Sequence, residues 1–251
     1  MTDWEAIEKR ISCRAYEDKL IDEKTLTNLK INADILSKTS GLNLQLIYSS
    51  EEGKPAIQMA KSMFSGPVYA YLALVGAEDN LSAEKVGYFG ESFVLYATRL
   101  GLGTCWVAST YDKNSISPVI SEGEKLWSVI TIGYAMEKTP LKQKMIRGAI
   151  RKSDRKIEKF LESDTPYEEL PEWVQKGIKA VLLGPSAVNQ QPVNIVYKDG
   201  NISAKLWKAG NGLEYIDLGI AKKQFQAAAA SVGHDGTFAW RDGGSFTCLV
   251  G

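Results

Sequence analysis

Hydrophobic and polar positions along this chain change period several times, and each change marks an element. Thr2 and Glu5 form a capping-box pair ahead of a short helix that runs through Ile7 to about Arg10. After Asp22, the residues Leu26, Leu29, Ala33 and Leu36 fall on one helical face and predict a helix ending near Lys38. Leu42, Leu44 and Leu46 then alternate with Asn43 and Gln45, which predicts a strand through Tyr48. The polar stretch 54–62 is expected to be helical. Residues 68–75 are almost wholly apolar and suit a central strand covered on both faces. A buried helix is predicted over 85–100, a short strand over 104–108, a helical turn over 118–124 and another strand over 126–132.

The second half repeats this alternation. Pro171 opens a helix that carries Trp173, Val174, Ile178 and Val181 to a break at Gly184-Pro185. Strands over 193–197 and 202–207 flank Lys198-Asp199-Gly200-Asn201 as a hairpin. Asp217 is expected to cap a helix through Phe225 to Val232, and residues 238–240 and 246–250 close the chain as short strands.

Two correspondences link the halves. Thr39–Gln45 matches Pro185–Gln191 at Ser, Asn and Gln, and both stretches lead into a strand ending in Tyr. The helix from Gly87 to Gly101 overlays that from Gly219 to Gly233 without a gap, with Phe93 on Phe225 and Ala97 on Ala229. Both occur in the same order, which predicts an internal duplication with repeats over 1–145 and 146–251. The basic stretch 136–159 lies at their boundary.

Composition narrows the chemistry. Thirty basic residues balance thirty acidic ones, which disfavours nucleic acid and an anionic membrane surface as partners. No apolar run is long enough to span a membrane, and the opening MTDWEAIEK is unlike a secretory signal, so a cytoplasmic location is expected. Three widely spaced cysteines predict neither a disulfide framework nor a metal knuckle. The single histidine, His234, sits in a Gly-His-Asp-Gly turn and is expected to be a turn residue, so no metal centre or hydrolase triad is predicted.

Two stretches remain as candidate chemistry. Arg10 and Arg14 flank Ser12, offering two forked cations and a hydroxyl to phosphate oxygens or an electron-rich carbonyl; taken alone they suit a solvated basic turn better. Gly184–Pro192, reading GPSAVNQQP, offers short donors and acceptors and non-helical backbone, and taken alone suits a helix-to-strand turn better than a ligand loop.

Together with Leu100-Gly101-Leu102-Gly103-Thr104-Cys105-Trp106, these stretches resemble the nitroreductase-like flavin oxidoreductases. That family carries R-R-S-x-R-x-F, L-G-L-G-x-x-W and P-S-x-x-N-x-Q-P motifs, here Arg10–Tyr16, Leu100–Trp106 and Pro185–Pro192. The resemblance implies an α+β fold of α/β/α layers with a largely antiparallel mixed sheet. The intact P-S loop stands in the second half, which implies the single-chain branch, two repeats imitating the family homodimer as a monomeric pseudo-dimer with one FMN site. It also implies cofactor contacts by Arg10, Ser12 and Arg14, by Pro185, Ser186, Ala187 and Asn189, and by backbone at Ala108 and Ser109. Arg155 is carried over from the basic run 151–156. No catalytic side chain is implied, because the chemistry is the flavin's; Arg14 would tune it near the N1–C2=O edge, where negative charge grows on reduction.

The activity implied is an FMN-dependent NAD(P)H oxidoreductase, a nitroreductase, drawing on NADH or NADPH and reducing a small acceptor such as a nitroaromatic or quinone. Ile11 departs from the family's second arginine, and Thr39–Gln45 lacks the loop's prolines. These losses leave open a flavin-binding protein without turnover.

Overall fold

The computed structural model describes residues 1–137, 157–208 and 212–249. The chain divides into two compact units. One comprises Lys9–Glu78 and Phe93–Lys152; the other comprises Met1–Glu8, Asp79–Ser92 and Ser153–Gly251. The expected boundary near 145 lies outside the described residues.

The first unit holds helix α2 (Glu23–Ser40) and strands β1 (Asn43–Tyr48), β2 (Ala70–Ala77), β3 (Gly103–Val107) and β4 (Glu124–Gly133). Asp22 caps α2 by accepting the Thr25 N–H at 2.9 Å. Gly41 ends it in the left-handed region at φ 73°, donating to the Ser37 carbonyl. The strands form an antiparallel sheet in the order β1-β2-β4-β3. β2 lies inside the sheet and is buried from Ala70 to Gly76, as its continuous apolar run predicts. Tyr71, Ala73, Val107 and Val129 pack with Cys13, Tyr16, Ile57 and Phe64 as its core.

The second unit holds α1 (Asp3–Lys9), as far as Glu8, and the first part of α3 (Asn80–Arg99). It continues with β5 (Leu161–Ser163), α4 (Glu172–Leu183), β6 (Val193–Lys198), β7 (Asn201–Leu206), α5 (Leu213–Ala230), β8 (Gly236–Phe238) and β9 (Gly244–Cys248). In α1, the Thr2 amide donates to Glu5 at 2.8 Å while Thr2 accepts the Glu5 amide at 3.2 Å, completing the capping box. The sheet runs β5-β6-β7-β9-β8, antiparallel except for the parallel pair β5 and β6. Asp199 and Gly200 turn the β6–β7 hairpin at φ 50° and 75°, the left-handed pair that a two-residue hairpin demands.

Within this unit α3 and α5 meet through two glycines. A Cβ on Gly87 would lie 1.9 Å from the Ile216 carbonyl oxygen, and one on Gly219 would lie 1.9 Å from the Glu84 carbonyl oxygen. The contacts are reciprocal. The shift that carries Gly87 onto Gly219 also carries Glu84 onto Ile216, so the two helix segments exchange roles as they would across a two-fold interface. Next to the crossing, Lys222 donates to Glu84 at 2.5 Å and to the carbonyls of Ala239 and Arg241 at 2.8 and 2.7 Å, placing all three ammonium protons. Burial pushes the Lys222 pKa down and that of Glu84 up, and each partner pulls the other partly back.

The structure thus has the α+β composition and largely antiparallel sheets expected, and its two-sheet arrangement is compatible with a duplicated structure. Three local expectations are corrected. Residues 54–62 are turns and isolated bridges, not helix: Gly53 and Pro55 interrupt the backbone, and Ile57 and Met59 bridge Val68 and Tyr111 with strand-like alternation. Residues 118–121 are irregular and 122–123 turn into β4, because the Gln45 amide clamps both backbone groups of Val119 and Gly123 takes φ 80°. Asp217 does not cap a helix. The helix begins earlier, after Gly212, and Asp217 lies in its interior, buried.

Candidate functional site

The expected site residues fall into two groups, one in each unit. In the first unit, residues 10–16 pass the edge strand β3, bridging it at Ser12, and go on to bridge Ser65 and Ala135 at Ala15 and Tyr16. Ser12 bridges Thr104 in parallel, and the Cys13 N–H donates to the Thr104 carbonyl at 2.8 Å. Ser65 donates to the Arg14 carbonyl at 2.9 Å and accepts the Tyr16 N–H on its own carbonyl at the same distance. Extended geometry sends alternate side chains to opposite sides. Cys13 and Ala15 are therefore buried, while Arg10, Ser12 and Arg14 alternate with them and are half-buried. Gly103 makes the approach possible, since a Cβ there would lie 2.7 Å from the Cys13 sulfur.

Ala108 and Ser109 follow the last residue of β3 and are exposed, so the arginine segment and this backbone pair flank one strand. Burial pushes the Cys105 thiol on that strand up to about 11, and the charges of Arg14 and Arg10 pull against this. Arg14 makes no ion pair or side-chain hydrogen bond among the described residues. A half-buried guanidinium without a carboxylate suits an anionic or carbonyl-rich ligand. Ile11, which stands where the family motif has its second arginine, is 40% exposed. Tyr16 is buried and its hydroxyl lies 2.7 Å from Thr131 Oγ1; burial pushes its pKa well above the usual phenol value.

In the second unit, α4 stops at Gly184, and Gly184–Pro192 carries the chain to β6. Residues Ala187–Asn189 make a single tight turn. Val188, Asn189 and Gln191 take φ of 44°, 58° and 45°, left-handed values that cost a non-glycine residue roughly 1–2 kcal/mol. For a β-branched valine, 81% exposed, the conformation is a clear outlier. Such backbone persists only where its surroundings over-determine it.

Here they do. Ser186 Oγ accepts the Gln191 N–H at 2.8 Å, which leaves its own hydroxyl proton to donate. The Gln191 side chain donates to Leu182 O at 2.9 Å, and its carbonyl accepts the Trp207 indole at 3.1 Å. The Asn189 N–H donates to Ser186 O at 3.0 Å. The Ala187 N–H is taken by both oxygens of Asp217, at 3.0 and 3.2 Å. A small cavity lies against the loop, bounded by Phe160, Val181, Pro185, Gln191, Asp217 and Ala221.

Asp217 is the residue that sequence reasoning misplaced. Burial pushes its carboxyl up to about 7, the Ala187 N–H pulls it down, and Glu214 raises it further. The signal was an acid embedded in the apolar run Ile216-Asp217-Leu218-Gly219-Ile220, where a helix cap should stand outside such a run. Arg155 and the basic run around it lie outside the described residues. His234 is an exposed turn residue whose ring stacks on Trp173 at 4.7 Å between centroids.

Among the described residues no helix is long and apolar enough to cross a membrane. No curated protein matches the chain. A solved "putative nitroreductase" from Thermotoga maritima is 23% identical, with 98% of this chain and 92% of that one covered and a TM-score of 0.64, which shows a shared fold. A nitroreductase with bound FMN from Bacteroides fragilis is 17% identical over 55% of this chain and 91% of that one, with a TM-score of 0.40. An FMN-dependent nitroreductase from Clostridium difficile is 18% identical over 53% and 88%, also at 0.40. The family model described as "Putative TM nitroreductase" matches residues 3–229, and the chain belongs to that nitroreductase family.

Proposed function

We propose that the chain is an FMN-dependent NAD(P)H oxidoreductase that passes electrons from NADH or NADPH to a nitroaromatic, a quinone or a similar flat acceptor. Family membership supports the oxidoreductase class. The observation that carries the cofactor is the donor set beside β3. Arg10, Ser12 and Arg14 share one side of an extended segment, and Arg14 has no carboxylate partner among the described residues. That chemistry fits a ligand with a phosphate at one end and ring carbonyls at the other.

FMN, when bound, supplies the two-electron chemistry that the chain's own side chains lack. The protein's part is to bind, orient and bias. Arg10 and Ser12 would hold the ribityl-phosphate region, and Arg14 would favour negative charge at the ring's N1–C2=O edge. Pro185, Ser186, Ala187 and Asn189 would cover the cofactor. Because the Ala187 N–H is already committed to Asp217, the loop would donate to the cofactor from elsewhere, with the Ser186 hydroxyl proton as one donor. Backbone at Ala108 and Ser109 would approach the ring, and Arg155 would add a phosphate contact. The two repeats, 1–145 and 146–251, would act in one chain as a monomeric pseudo-dimer.

Purified protein loaded with FMN and dialysed should retain flavin absorbance, and anaerobic NADH or NADPH should bleach it. A colourless protein would sink the proposal. The exposed Ile11 favours a second reading, a flavin binder without turnover, because one cation of the family motif is gone. Retained flavin that neither nucleotide bleaches would establish that reading instead.

A further inference from the structure

The loop's shape depends on a group outside it. Among the loop's described restraints, the Ala187 N–H bond reaches α5, and its acceptor is a buried carboxylate whose two oxygens both face one amide proton. An asparagine could not reproduce this: with one oxygen at 3.0 Å, its NH₂ would fall where the second oxygen stands at 3.2 Å from the same N–H, donor against donor.

The carboxylate is held there against its own solvation. None of the residues bounding the cavity from β6, α4, the loop or the turn at Phe160 carries a charge, and the charged neighbour is Glu214 on the same helix, which repels it. On α3, packed against α5, Glu84 is neutralised by Lys222. An ionised Asp217 therefore costs folding stability while offering the Ala187 amide a charge-assisted bond. A residue that lowers stability to fix one strained loop is placed for function.

We propose that Asp217 is the positioning residue of Gly184–Pro192: by accepting the Ala187 amide on both carboxylate oxygens it sets the left-handed turn at Val188 and Asn189, and through that turn it governs how the loop covers FMN. The flavin half of this proposal rests on the FMN reading above. Asp217 acts through the loop, and its signature is a split between two quantities that a merely structural residue would move together.

The test uses Asp217→Asn and Asp217→Ala in the full-length protein. Urea unfolding measures stability, hydrogen exchange in FMN-free protein reports on residues 186–191, and a flavin fluorescence titration at pH 6 and pH 8 reports binding. Asp217→Asn should unfold at equal or higher urea than wild type at pH 8, yet exchange the Ala187 amide at least about tenfold faster, as loss of a charge-assisted bond predicts. Its FMN affinity should fall several-fold at pH 8 and lose the dependence between pH 6 and 8 that wild type shows. Asp217→Ala should exchange as fast, even if it is less stable. Wild-type exchange at Ala187 in both variants would overturn the proposal, as would a parallel loss of stability and loop protection in Asp217→Asn. Wild-type protein that takes up no FMN would overturn the flavin reading; the exchange arm would still decide whether Asp217 sets the loop.

Discussion

The two helix-to-strand junctions that share letters in the sequence make an instructive pair. In the first half α2 ends at Ser40, Gly41 takes the left-handed turn, and β1 begins at Asn43. The polar side chains there are consumed locally: Ser37 Oγ donates to Leu42 O and accepts the Leu44 N–H, while Asn43 and Gln45 hold Val119. In the second half the corresponding letters occupy a longer loop in which Val188, Asn189 and Gln191 carry left-handed backbone without a glycine. One junction assigns the awkward conformation to the residue that adopts it at least cost. The other imposes it on residues that resist it and restrains them through Ser186, Gln191, Trp207 and Asp217. Similar letters therefore mark an economical turn in one half and a strained loop in the other.

Where the halves must approach backbone to backbone, by contrast, they agree. Gly87 and Gly219 play the same part at the α3–α5 crossing. Replacing either by Ala drives a Cβ into a carbonyl oxygen and should cost roughly 3 kcal/mol or more, nearly equally for the two, in urea unfolding. A cost confined to one glycine would break the equivalence of the helices.

The strained loop predicts a pH effect of similar size. Burial raises the folded-state pKa of Asp217 to about 7 from the ordinary carboxylate value of 3.8. Its contribution to stability is thus complete below the unfolded value and is lost as pH rises towards and through 7. Over that range wild type should lose on the order of 3 kcal/mol that Asp217→Asn retains, measured by unfolding at pH 4 and pH 8. A wild-type curve parallel to that of the variant would show that the carboxylate costs nothing.

For the arginine segment, Arg14→Ala should weaken FMN binding about ten- to hundredfold, the range for losing a hydrogen bond to a charged group, and Arg155→Ala should do less. Equal losses in a fluorescence titration would contradict the assignment of the two arginines.

The smallest effects separate the junctions themselves. Gly41→Ala should cost about 1 kcal/mol, all of it backbone strain, because a Cβ there meets nothing within 4 Å. Val188→Gly should be neutral or gain up to about 1 kcal/mol at an exposed left-handed position. If Val188→Gly proves as costly as Gly41→Ala, the backbone at Val188 is not strained.

Much of the fold was legible because its signals are periodic. The apolar run of β2, the Asp22 and Thr2 caps and the Asp199-Gly200 hairpin reappear where patterning placed them. Residues 54–62 misled because polar composition suits a helix as well as a looped edge, and the deciding strand-like alternation of Ile57 and Met59 is short. The arginine segment and the loop were legible as motifs. The role of Asp217 was not, because an acid ahead of a helical run has the letters of a cap, and only the earlier start of α5 at Leu213 moves it into the interior. The bond between the Ala187 N–H and Asp217 joins residues 30 apart in the sequence, and no local pattern records it.

The proposed function requires FMN to be bound through the arginine segment and the P-S loop and to be reduced by a nicotinamide. The most direct measurement is an FMN titration of the purified protein followed by anaerobic addition of NADH and NADPH to the complex. One FMN should bind per chain, more weakly when either Arg14 or Asp217 is replaced, and at least one nucleotide should bleach it. A protein that binds no flavin, or binds it equally well without Arg14, would contradict the proposal.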